Sequence, residues 1–299
     1  MERFMDTPSI TPIILSLVFN VLVGIGLPVS LILLIRKKTK MRIGVLFIGA
    51  CAYIATNIFL LSIVDTGLYL IKPLAAYFET HVLQRCIFFA FVDGAIQLGG
   101  YYLIILQFMK DFKRKENALM YGVGIRVIDS VMAYGLNSLW SILVILTGIN
   151  SPVKEDFYKE LESLSGMELF GTGLIGLFLM VMMIAVSVLI FLAAKRENKK
   201  YLLPTAYAVF VLNFLLLSLY SGEILTNIFV CVLLLGLLSA AAAVLSYFVY
   251  RADTDDERGK SDIVVDKKAE RAQAAANTTS MKDRIARVSK VNNNNDKEA

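Results

Sequence analysis

Two pairs of polar side chains stand at helical spacing inside apolar sequence. Asp93 and Gln97 are four residues apart, and Arg126 and Asp129 are three apart. Those separations put each pair on one face of a helix. Asn137 extends the second stripe by two turns, while Asn57, Asp65 and Asn213 lie in other apolar runs. Ionisable groups at bilayer depth are costly, and where they occur they serve relays, ion paths or ligand sites. An unpaired arginine near the centre of a spanning helix costs ~3 kcal/mol on insertion scales, and pairing with Asp129 offsets part of that. Two uses are open for this set: a network that fixes helix register, or a site facing a watery cavity. The candidate pocket residues are Asp93, Gln97, Arg126, Asp129, Asn137 and Asn213.

Other chemistry is limited by residue type. The chain has one histidine, His81, at the mouth of an apolar run. A catalytic zinc takes several His or carboxylate ligands, and no HExxH occurs. No metal or other cofactor is therefore expected. GxSxG, P-loop and CxxC patterns are also missing, so neither a serine nucleophile elbow, nor phosphate binding, nor a zinc knuckle is indicated. The glycines of GIG (24–26), GG (99–100) and GVG (122–124) fit close helix packing better than phosphate binding.

The elements that must position these residues are helices. Seven apolar runs occupy 11–35, 43–71, 83–109, 118–148, 168–194, 201–220 and 224–250. Crossing ~30 Å of hydrocarbon takes ~20 apolar residues, so each is long enough. The separation of the last two is the weakest, resting on SGE (221–223) alone. Basic residues crowd every second gap: RKKTKMR (36–42), KDFKRKEN (110–117) and KRENKK (195–200). Short basic loops stay cytoplasmic, which places the N-terminus outside and the C-terminus inside. The expected fold is all-α, a polytopic bundle of about seven transmembrane helices over 1–250. Residues 251–299 are charged and lack aromatic residues, and read as a disordered cytoplasmic tail. The N-terminus lacks the pattern of a cleavable signal peptide. Residues 151–164 read as a short amphipathic helix on the outer leaflet. The net charge of +5 follows from the basic loops and does not indicate nucleic-acid binding. The implied partners are the lipid bilayer and a transmembrane peptide or protein, with no oligomeric state specified.

From residue 94 onward the chain resembles a known family. GAIQLGGYY (94–102), the loop KDFKRKEN, ALMYGVGIRVID (118–129) and SVLIFLAAKRENKKYLL (187–203) are similar to the YhfC-type bacterial membrane proteins. These are peptidases related to the CAAX-protease and bacteriocin-processing clan of glutamate intramembrane proteases. The likeness covers most of residues 10–215 and implies a multi-pass protein of the bacterial cytoplasmic membrane. The family pattern has two adjacent glutamates and a downstream arginine in one helix, then a run resembling A-x-M-Y-G-x-G-H-G-G-x-E. The glutamate positions fall on Gln97 and Leu98, the arginine on Tyr101, the histidine on Ile125 and the closing glutamate on Asp129. Later histidine positions fall on Met183 and Val209, and an aspartate position on Asn213.

The resemblance therefore implies a hydrolytic scaffold without its proton-transfer groups. Gln97 cannot take a proton at neutral pH and Ile125 cannot shuttle one. The expected function is a non-catalytic homologue that binds a membrane peptide or lipid-like ligand in an intramembrane polar pocket. Alternatives are an active protease using Asp93, Asp129 and Glu168, a small carrier relaying through Arg126, Asp129 and Asp93, and a sensor or immunity protein. The topology has its own test. A reporter fused after Arg251 is expected on the cytoplasmic face, and exterior activity would invert the whole threading.

Overall fold

The computed structural model describes residues 10–39, 43–112, 114–147, 166–196 and 199–253. The chain divides into two units, Met1–Asp253 and Thr254–Ala299, and the second lies wholly outside the described residues. The expected tail disorder and the expected helix at 151–164 fall there or in the undescribed 148–165.

Seven helices are long and apolar enough to cross a membrane, and among the described residues there is no strand. We label them α1 (Thr11–Thr39), α2 (Gly44–Tyr69), α4 (Val82–Phe108), α5 (Glu116–Leu146), α6 (Gly166–Lys195), α7 (Lys199–Ser221) and α8 (Ile228–Ala252). A shorter helix, α3 (Lys72–Thr80), lies between α2 and α4 and has a proline in its first turn. Its Phe78 is buried against Phe88 and Phe89 of α4. The doubtful break between the last two runs is a real turn. Gly222 takes the left-handed conformation (φ 68°) that ends α7 without a Cβ penalty. Asn227 then accepts from the Phe229 amide at 2.9 Å and caps α8.

α6 is the hub. Its central window is 72% buried, against 22–39% for the other spans, because it packs against α1, α4, α5, α7 and α8. α2 joins the bundle through α4 and α5 instead. Without a hydrophobic force between helices in lipid, close backbone approach does the packing. α2 and α5 meet at Gly49 and Gly124: a Cβ on Gly49 would fall 2.3 Å from the Tyr121 carbonyl oxygen, and one on Gly124 2.3 Å from that of Leu46. α1 and α5 meet at Gly24 and Gly135, where a Cβ on Gly24 would fall 2.2 Å from the Gly135 nitrogen. Of the tandem glycines, Gly24, Gly122 and Gly124 are at such contacts, Gly100 lies against the Thr56 side chain, and Gly99 faces open space.

Three spans contain a widened π-helical turn: 22–26 in α1, 54–60 in α2 and 130–136 in α5. The first has an evident cause. Pro28 has no amide to give the Gly24 carbonyl, and the Leu27 amide reaches back five residues to Leu22. In α2 the Thr56 hydroxyl bonds the Ala52 carbonyl at 2.7 Å, a side-chain competitor that bends helices. The α1 and α5 turns pack on each other.

At the basic end of the bundle, side chains tie helix ends together. Lys195 bonds the Met109 carbonyl. Lys115 donates to the Tyr250 carbonyl at 3.2 Å and to that of Asp253. Arg196 holds the Asp253 carboxylate with two bonds of 2.8 and 2.9 Å. These cations satisfy terminal carbonyls that have no partner within a helix.

The glycine crossings give a direct test. Gly124→Ala is expected to cost about 1–3 kcal/mol through forced backbone separation, while Gly99→Ala is expected to be neutral or mildly stabilising. Thermal unfolding of both variants in nanodiscs checks this.

Candidate functional site

The site is built from α2, α4, α5 and α7, and its polar groups are held in two sets. In the first, the Asn213 amide of α7 donates to the Gln97 side-chain oxygen of α4 at 3.2 Å. Both residues are 8% exposed, so each is the other's replacement for water. Gly94, almost one turn before Gln97, lies beside Phe210 and Asn213 of α7, where a Cβ would make ordinary van der Waals contact at 3.6–3.7 Å.

The second set is centred on α5. Arg126 and Asp129 form the ion pair that their spacing implied. Their side chains are 13% and 23% exposed, an environment in which an uncompensated charge would be severely penalised. Tyrosines surround the pair. The Tyr53 hydroxyl of α2 faces Asp129, and the Tyr134 hydroxyl from the π-turn of α5 faces Arg126. Tyr220 of α7 also lies within electrostatic range of both charges. Tyr101 of α4, one turn beyond Gln97, is fully buried. It donates to the Asn57 side-chain oxygen at 3.0 Å and lies within range of Arg126 and Asp129. Tyr121 of α5 donates to the Tyr101 carbonyl at 3.3 Å, linking α4 and α5. The Arg126 Nε is buried with no hydrogen-bond partner.

The remaining sequence candidates fall elsewhere. Asp93 lies near Asp65 of α2, and each has one buried carboxylate oxygen without a partner. Asn137 is exposed and does not continue the Arg126–Asp129 stripe. The π-turn at 130–136 precedes it, and the extra residue per turn rotates the helix beyond it; Tyr134 and Ser138 are the buried positions there. Glu168 is exposed near the start of α6. The tyrosines were missed because they are grouped with the hydrophobic residues while carrying a hydroxyl that seeks a partner when buried. The spacing of Tyr53 and Asn57, one turn apart, was the available signal.

The sequence pattern of the YhfC intramembrane metalloprotease family matches residues 19–235. The chain belongs to this family. It is a multi-pass membrane protein of protease-related type. No curated protein and no solved structure matches it.

The YhfC description names a metal, so the donor set has to be examined. A catalytic zinc needs three protein ligands and an open position. Among the described residues no three His, Cys, Asp or Glu side chains come together. The single histidine, His81, is exposed at the start of α4; its Nδ1 is 3.0 Å from the Tyr77 carbonyl and its ring stacks on Tyr77. Asp129 is already paired with a cation. The described residues do not fit a catalytic metal ion.

The amide pair makes a measurable prediction. Asn213→Leu leaves the buried Gln97 oxygen without a donor and is expected to lower stability by about 1 kcal/mol, near the upper part of the range for hydrogen bonds between membrane helices. Adding Gln97→Met is expected to recover part of that loss, read as a coupling in a double-mutant cycle of denaturant unfolding.

Proposed function

We propose that this chain is a non-catalytic member of the YhfC family that binds a membrane-embedded peptide or lipid-like ligand among the polar side chains of α4, α5 and α7. The observation that carries this reading is the hydrogen bond between Gln97 and Asn213. These are the positions that the family resemblance gives to acids, and here two amides satisfy each other. An amide neither gives up nor accepts a proton at neutral pH, so the pair can orient a ligand but cannot activate water. Asp129 is likewise engaged by Arg126. What the centre offers a ligand is donors: phenolic hydroxyls and the unpartnered Arg126 Nε.

A second reading has one observation in its favour. Asp65 and Asp93 lie near each other and each has an unpartnered oxygen, and an active enzyme with altered acids would draw on such carboxylates.

Proteoliposomes carrying synthetic transmembrane peptides separate the two. Under the binding reading no peptide is cleaved, and energy transfer from labelled protein to labelled peptide is saturable. The double variant Arg126→Gln/Asp129→Asn is expected to weaken that transfer several-fold. Cleavage that disappears in Asp129→Ala would remove the proposal, and cleavage that survives there but falls in Asp93→Asn would select the alternative.

A further inference from the structure

The family description calls for a cation at the intramembrane centre, and this chain carries one of its own. We propose that the Arg126 guanidinium is the resident cation of the centre in place of the family's metal ion, and that the centre takes up no divalent metal. Four observations lead there. Asp129, the acid of the α5 centre, is already neutralised by Arg126 from the same helix face. A divalent ion brought to that carboxylate would meet the guanidinium as a like charge, undiminished by bulk water. Each member of the pair also faces a tyrosine, Tyr53 on the acid and Tyr134 on the base. Protonated phenols hold a charge pair in place but are poor zinc ligands beside imidazole, thiolate and carboxylate. Finally, in an HExxH metal site the two histidines on one helix stand four residues apart, and the position four before Asp129 is Ile125, which is fully buried hydrocarbon.

The arrangement differs from a metal centre in one functional respect. A bound zinc keeps a coordination position for water and acidifies it. A guanidinium is a fixed hydrogen-bond donor that stays charged. Arg126 orients its neighbours through Asp129 and Tyr134, and its Nε is the donor left over. This inference extends the non-catalytic reading but is measured separately. Metal-independent cleavage would defeat that reading and leave this one standing, while a tightly held metal without cleavage would do the reverse.

The test uses the full chain in nanodiscs, purified with zinc present and washed. Elemental analysis of wild type is expected to give substoichiometric metal, and zinc or chelator is expected to leave the thermal midpoint unmoved. The variant Ile125→His/Arg126→Ala places two ligand types four apart and removes the cation. It is expected to gain a zinc-dependent rise in Tm that is lost on adding Asp129→Asn. A second measurement is independent of engineered metal binding. Arg126→Gln alone is expected to unfold at a lower temperature than Arg126→Gln/Asp129→Asn, because the single change strands a buried carboxylate. One zinc per wild-type chain, released by Asp129→Asn, would overturn the proposal. So would an Arg126→Gln loss that the second substitution deepens rather than relieves.

Discussion

A hydrocarbon interior offers no water to a polar group, and the centre of this protein is organised by that constraint. Arg126 and Asp129 could not be carried into the bundle singly. Three residues apart on α5, they cancel each other's charge and so make every other contact around them affordable. Gln97 and Asn213 follow the same rule across two helices. The tyrosines then join the two kinds of pairing: Tyr101 is one turn from Gln97 on α4, bonded to Asn57 on α2 and within reach of the α5 charges. Few polar atoms among the described residues break the rule, Arg126 Nε among them.

The packing that brings these helices together depends on backbone, not bulk. Gly49 against Gly124 and Gly24 against Gly135 remove side chains where α2 and α1 cross α5. α5 is thus gripped from both sides at glycines before and after its charged turn. α6, buried on nearly all sides, supplies the wall. Ser187 of α6 bonds the Ala118 carbonyl of α5 at 2.7 Å, and Gly122 lies against Ile184 and Ser187. The charged turn of α5 follows directly from that contact.

Much of this could be read from the residues in order. Seven apolar runs of spanning length became seven spans because length and hydropathy are local properties. The Arg126–Asp129 pair was legible because it lies within one helix. The Gln97–Asn213 bond was only half legible: both residues were singled out, but their meeting depends on how α4 and α7 pack. The π-turns were not legible, since Thr56 and Gly135 have many other reasons to be in a helix. Missing the turn at 130–136 carried Asn137 onto the wrong face. The tyrosines were hidden by grouping a phenol with the hydrocarbons.

The links at the basic end bear on where this protein can be shortened. Asp253 is held twice, its carboxylate by Arg196 and its carbonyl by Lys115. A chain cut after Asp253 retains both anchors on the end of α8. A chain cut one residue earlier loses the carboxylate held by Arg196 and one of the two carbonyls held by Lys115, which keeps that of Tyr250. The end of α8 is therefore held through a single residue, by electrostatics and not by hydropathy.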